Sequence, residues 1–264
     1  MTAAINMRDG CVDRNGRTIW HDVDLDIAAG EFVAILGPNG VGKSTLLHAI
    51  LGLVPLRTGT LTVLGEAPGR ANRAIGYLPQ RRGFDPSLRI RGVDIVRLGI
   101  DGDHWGISLS RRHARRVRTR VDELVTLVGA ETYATKPIGE CSGGEQQRLL
   151  IAQALAREPA MLLLDEPLDS LDLASQASVA ALIARICHDE GVTVLIVAHD
   201  VNPILGHLDR VVYLGSGGVL TGTPTEVITS ENLTALYNSP VEVLHASDGR
   251  LVVVGQPDLH PHAH

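Results

Sequence analysis

No run of apolar residues in this chain approaches the roughly 20 that a helix needs to cross a bilayer. The start, "MTAAINMRDG", also lacks the basic, apolar and small-residue order of a secretion signal. Any work at a membrane would therefore need another protein as anchor. Cysteine is sparse and odd in number. Cys11, Cys141 and Cys187 lie far apart, which argues against a disulfide framework and for a reducing compartment; the expectation is a cytoplasmic protein. Overall positive charge is missing too: a net charge of −6 and a pI near 6.0 leave no general footprint for nucleic acid. The local exception, "RRHARRVRTR" at 111–120, shares its segment with Val117, Val121, Leu124, Val125 and Val128 at helical spacing. It reads as an amphipathic helix with a solvated basic face, with contact to anionic lipid headgroups or another chain as the alternative.

What the chain does have is length. Its 264 residues are enough for one large domain with inserted subdomains and a sizeable core. "IWHDVDLDI" at 19–27 alternates apolar and polar residues as a half-buried antiparallel strand does. "EFVAILG" reads as a buried strand running into "GPNGVGKST" at 37–45, with a helix expected from 43 to about 51. Two strand-like pieces, "TLTVLG" and "AIGYLPQ", precede a stretch of helical periodicity from roughly 87 to 157. Later, "AMLLLDEP" and "VTVLIVAHD" are continuous apolar runs with acidic or polar C-terminal ends, separated by the helix-like "DLASQASVAALIARICHDEG". Such runs mark parallel strands covered on both faces, with ligand groups at their carboxyl ends. The expected fold is an α/β nucleotide-binding core with an antiparallel β part near the N-terminus and a helical insertion. "VEVLHASDGRLVVVGQ" predicts a hairpin turning at Asp248 and Gly249, and the last residues, "PDLHPHAH", are expected to be loose.

The segment "GPNGVGKST" has the pattern of a glycine, four residues, then Gly-Lys-Ser, between a strand and a helix. Gly37, Gly40 and Gly42 free backbone N–H groups to surround phosphate oxygens, and the helix N-terminus adds its positive dipole end. Lys43 is placed to reach the β and γ phosphates and the Ser44 hydroxyl to ligate Mg²⁺. Pro38, Asn39, Val41 and Thr45 complete the loop. In "LLLDEP", Asp165 ends a buried strand, where a carboxylate is costly unless a cation meets it. Glu166 follows, a second carboxylate able to orient or deprotonate an attacking water. "CSGGEQQR" at 141–148 begins with a capping box, Ser142 with Glu145. The box does not account for Gly143 and Gly144, each costing roughly 1 kcal/mol relative to alanine in a helix. Two glycines and a serine at a helix N-terminus make a second anion site.

Taken together, "GPNGVGKST", Gln80 in "GYLPQ", "CSGGEQQR", "LLLDEP", "SLD" at 170–172 and His199 in "VAHD" resemble, in order and spacing, the ATP-binding-cassette (ABC) ATPases, over essentially the whole chain. The resemblance implies an ATPase using ATP and Mg²⁺, with a P-loop NTPase core, an antiparallel β subdomain and an inserted helical subdomain. It implies one ATPase domain over 1–255, the helical subdomain inserted at about 87–157, and a His-containing tail at 256–264. Two cassettes of this family meet head to tail, so the signature at 141–148 would close over nucleotide held by a second ATPase subunit. Gln80 would touch Mg²⁺ and the attacking water and sense a membrane partner. Asp172 would lie on the dimer seam, and His199 would contact the γ-phosphate. The sequence departs from the family pattern in two places. Cys141 stands where leucine is usual, a modest apolar exchange. No aromatic residue precedes the phosphate loop where the family stacks adenine; in "DGCVDRNGR", Arg14 offers a guanidinium plane instead.

Within the family, "IGYLPQRRGFDPSLRIRGVDIVRLG" and the run from "AHDVNP" to "SPVEV" look like the cassettes of manganese, zinc or iron uptake systems. Cassettes importing iron chelates or cobalamin, and a soluble regulatory ATPase acting without a permease, are the alternatives. The resemblance makes "RRGFDPSLRIRG" a docking surface for an integral-membrane permease, on the inner face of the cell membrane, with a solute-binding protein engaged only through that permease. No nucleic-acid partner is expected. His260, His262 and His264 alternate in the tail and could chelate a metal ion, although nothing there preorganises a site.

Overall fold

The computed structural model describes residues 3–14, 16–80, 83–101, 111–215, 218–237, 241–245 and 251–254. The chain opens with two long antiparallel strands, β1 (Ala3–Arg14) and β2 (Arg17–Ala28). Along β2 the alternation expected from the sequence buries Val23, Leu25 and Ile27, while Trp20 is buried out of phase with them, on the far side of Asp22. Asp9 and Asp22 sit at positive φ where the register of the pair slips, a bulge pattern that bends and twists the ribbon. β3 (Phe32–Leu36) leads through the phosphate loop into α1 (Lys43–Ile50), and β4 (Thr58–Val63) then returns to pair with β1. After β5 (Ile75–Leu78) come three helices, α2 (Gly92–Asp101), α3 (Arg111–Leu127) and α4 (Gly143–Ala154). β6 (Met161–Asp165), α5 (Leu173–His188), β7 (Thr193–Val197), β8 (Arg210–Gly215) and β9 (Gly218–Gly222) complete the core. The short α6 (Pro224–Val227), α7 (Ser230–Tyr237) and the paired strands β10 (Glu242–His245) and β11 (Leu251–Val254) follow.

The central sheet runs β5-β6-β7-β3-β8-β9, parallel except for β9. β3, β6 and β7 are buried along their whole length, which is why their sequences are continuous apolar runs instead of alternating ones. Their period of two divides the core cleanly. Phe32, Ala34, Leu36, Leu162, Leu164, Val194 and Ile196 face a cluster shared with α2–α5. Val33, Ile35, Met161, Leu163, Leu195 and Val197 face a second cluster shared with α1 and the antiparallel strands. α3 behaves as its periodicity predicts: Val117, Val121, Leu124, Val125 and Val128 are buried, and Arg112, Arg115, Arg116 and Arg118 are exposed. The turn expected at Asp248 and Gly249 lies outside the described residues, as do His260, His262 and His264. Among the described residues no helix is long and apolar enough to cross a membrane.

Candidate functional site

Two of the phosphate-loop glycines are demanded by their neighbours as well as by φ. A Cβ on Gly37, at φ 143°, would lie 2.2 Å from the carbonyl oxygen of Leu214 in β8. One on Gly42, at φ 104°, would lie 2.4 Å from Ile19 Cγ2 and 2.9 Å from Trp20 Cδ1. Gly42 is the N-cap of α1, which has no side-chain cap and no acidic residue in its first turn. Its leading amides are therefore left for an anion. Lys43 is nearly buried, and its Nζ donates to the carbonyls of Gly37 at 2.8 Å and Pro38 at 3.1 Å, so the lysine braces the loop from within. Burial pulls its pKa down, against the pull of Glu166, Asp165 and Asp169.

Two carboxylates close the site from the end of β6. Asp165 is 5% exposed and accepts a hydrogen bond from Ser44 Oγ at 3.2 Å. Burial pushes its pKa up despite that bond. Glu166 follows in the left-handed region at φ 54°, its N–H donating to the Val197 carbonyl at 3.1 Å. A non-glycine residue held there stores strain of roughly 1–3 kcal/mol, a cost found mostly at functional positions. His199 Nε2 meets one oxygen of its carboxylate at 2.6 Å, and Gln80 Nε2 donates to the other. Burial raises the Glu166 pKa, but His199, Asp169 and Lys43 outweigh it and the net displacement is downward. The hydrogen bond to Glu166 raises His199 against its own burial. Asp169, which the sequence reading passed over, belongs here too: a carboxylate oxygen of it lies within 4.8 Å of the Glu166 and His199 donor atoms. The available signal was its place three residues after Glu166, in the turn where its N–H returns to the Glu166 carbonyl at 3.3 Å.

The remaining expected residues gather elsewhere. Ser142 caps α4 by accepting the Glu145 N–H at 3.3 Å, and Glu145 accepts the Ser142 N–H at 2.7 Å, so the capping box is complete. Gly144 has a packing reason that the sequence did not disclose: a Cβ there would lie 2.9 Å from Ser175 Oγ. Ser175 in turn donates its hydroxyl to Asp172 at 2.7 Å and its N–H at 2.9 Å, making Asp172 the cap of α5. Those bonds hold the Asp172 pKa down. Cys141 is buried as a small apolar residue, its Sγ 3.6 Å from the Pro137 carbonyl. Among the described residues no hydrogen bond or ion pair joins 142–145 to 37–45. Arg14 ends β1 opposite Arg17, its side chain exposed and without a hydrogen bond among the described residues.

A phosphate loop between a buried strand and a helix, a strand-end Asp-Glu pair, a histidine at the next strand end and a separate Ser-Gly-Gly cap together define a nucleotide-hydrolysing cassette. The sequence pattern of the ABC transporter family matches residues 20–169, and the chain belongs to that family as one of its ATPase cassettes. It is 33% identical to the zinc import ATP-binding protein ZnuC of Pseudomonas fluorescens, over 99% of this chain and 96% of that one. Identity is 35% to the manganese transport system ATP-binding protein MntB of Halalkalibacterium halodurans, over 88% and 91%. Among solved structures, it superposes on a metal-chelate-type ABC transporter in an inward-facing conformation with a TM-score of 0.81, at 25% identity, over 97% of this chain and 99% of that chain. A dimeric ATP-binding cassette with ADP and phosphate gives 0.68, at 28% identity, over 83% and 98%.

Proposed function

We propose that the chain is the ATP-hydrolysing subunit of a divalent-metal importer for manganese, zinc or iron, acting as a head-to-tail pair of identical copies on the inner face of the cell membrane. The observation that carries the pairing is the separation of the two anion sites, with the open helix start after residue 42 in one place and the Ser142 cap in another. A second copy brings its cap to the first copy's loop. Residues 1–255 form the ATPase domain, the helical insertion spans about 87–157, and 256–264 is a tail.

In this reading Gly37, Pro38, Asn39, Gly40, Val41, Gly42, Lys43 and Thr45 bind the nucleotide phosphates, and Arg14 stacks on adenine. Ser142, Gly143, Gly144 and Glu145 meet the partner's γ-phosphate, with Asp172 on the seam between copies. Ser44, Asp165 and Gln80 are an oxygen-only donor set suited to Mg²⁺, and the buried Asp165 carboxylate fits a cation neighbour. When bound, Mg²⁺ offsets the charge that develops on the transferring phosphoryl group. Glu166 takes the proton of the attacking water on a carboxylate oxygen, since each oxygen keeps a lone pair beyond its bond to His199 or Gln80. His199 holds that carboxylate in place and contacts the γ-phosphate.

Docking on a permease is supported by the loop after Gln80. The Phe84 N–H donates to Gln146 Oε1 at 3.2 Å, and Gln146 Nε2 donates to the Ile138 and Cys141 carbonyls at 3.1 and 2.9 Å. A push on that loop therefore reaches the signature helix directly. A solute-binding protein takes part only through the permease. The test is to isolate the Glu166→Gln form with ATP from detergent-solubilised membranes. Recovery as a dimer with a polytopic protein whose pathway is lined by metal ligands supports the reading. Recovery alone or with soluble partners favours the permease-independent ATPase, and a pathway shaped for a large organometallic cargo favours the chelate or cobalamin alternative.

A further inference from the structure

At the end of the central sheet opposite the phosphate loop, where β3 and β8 begin, three side chains of metal-binding chemistry meet. Cys187 and His188 end α5, and Asp209 immediately precedes β8. Their donor atoms, a thiol sulfur, an imidazole nitrogen and a carboxylate oxygen, all lie within 4.8 Å of one another. The Phe32 N–H at the start of β3 donates to Asp209 Oδ2 at 2.8 Å. The cluster thus sits where β3 and β8 begin, whereas the nucleotide residues follow the far end of β3.

Each donor is held in place by its neighbours. Asp209 spends Oδ2 on Phe32 and on His188 Nε2, at 3.2 Å, leaving Oδ1 without a hydrogen bond among the described residues. The His188 ring stands edge-on to Phe32 with centroids 6.5 Å apart. Cys187 is fully buried with Sγ 3.3 Å from the Gly30 carbonyl, while the His188 and Asp209 side chains are 42% and 45% exposed, which opens the cluster to solvent on one side. An exposed His–Asp pair alone contributes little; the thiol directly behind it changes what the cluster can bind.

We propose that Cys187, His188 and Asp209 form a binding site for a zinc-class divalent cation, with water as the fourth ligand. A sulfur, nitrogen and oxygen set suits zinc and disfavours magnesium or calcium. Zinc–ligand bonds of about 2.0–2.3 Å place tetrahedral donors roughly 3.3–3.8 Å apart, so donors within 4.8 Å of one another need to close by no more than about 1.5 Å. Coordination releases the thiol proton to water and leaves a thiolate on the cation. The bound ion pins the end of α5 to the starts of β3 and β8 without competing for ATP, and the site stands whatever the transported cargo is.

The experiment titrates the full chain with Co²⁺ in a phosphine reductant and reads the thiolate-to-cobalt charge-transfer band. The expected result is a band in the natural chain and in a form lacking 257–264, displaced by Zn²⁺ and lost in Cys187→Ser. In His188→Ala the apparent cobalt affinity falls at least about tenfold. That substitution changes an exposed side chain, so it decides the question even if the Cys187 variant fails to fold. No band in the natural chain, a band that survives Cys187→Ser, or undiminished affinity in His188→Ala overturns the site.

Discussion

The starts of α1 and α4 are both glycine-rich helix N-termini, yet they are finished in opposite ways. At α1 the cap is Gly42 in a left-handed conformation, with no side chain satisfying the leading amides and no acid nearby in sequence. At α4 the serine and glutamate of the capping box occupy the same kind of groups, and α5 beside it is capped by Asp172. An uncapped start costs stability and leaves donors for a ligand; a capped one stands on its own and presents a finished surface. On the proposed pairing, the first holds phosphate from within one chain and the second is carried to phosphate held by another.

The contrast can be broken at several points. The largest effect belongs to chemistry: Glu166→Gln should lower ATP turnover about 10²–10⁴-fold while preserving nucleotide binding, measured by steady-state hydrolysis beside direct ATP titration. Next, Gly42→Ala should abolish ATP binding and destabilise the fold by at least about 1–3 kcal/mol, because the methyl group meets Ile19 and Trp20; denaturant unfolding and ATP titration check it. Ser142→Ala removes a satisfied cap and should cost about 1 kcal/mol of stability, with ATP affinity of the isolated chain unchanged. Arg14→Ala is expected to weaken ATP binding by only about 0.5–1 kcal/mol, as for an exposed cation over an aromatic face. An unchanged affinity would remove Arg14 from the site.

The smallest expectation concerns pH. His199 is raised above its ordinary 6.5 by Glu166, so its contribution to stability is complete below that value and is lost as pH climbs through the raised one. Glu166 is lowered from 4.5, so its contribution is present above that value and is lost as pH falls through the lowered one. The stability difference between the natural chain and His199→Ala should therefore be greatest between those limits and shrink on the alkaline side, as followed by urea unfolding across pH.

Local sequence carried a large part of this. Continuous apolar runs located β3, β6 and β7, the Ser142–Glu145 spacing announced the capping box, and valine spacing oriented α3. What stayed hidden was contact between segments remote in the chain. Nothing near Gly37 indicates that Leu214 passes within a methyl's reach, and nothing near Gly144 indicates Ser175. Trp20 and Ile19, which pack on the phosphate loop, read from the sequence only as apolar residues of one strand. Asp169 differs: its spacing from Glu166 is legible in the sequence, but the positive φ at Glu166 that turns the chain back toward it is not.

The N–H of Glu166 is tied to Val197 at the end of β7, and His199 follows two residues later. The carboxylate and the imidazole that steadies it are thus mounted on one pair of adjacent strands, a fixed jig within the sheet. On the proposed pairing, a second copy's signature helix would arrive at a reaction centre whose spacing is already set. Pairing would then decide when hydrolysis occurs without retuning how it occurs.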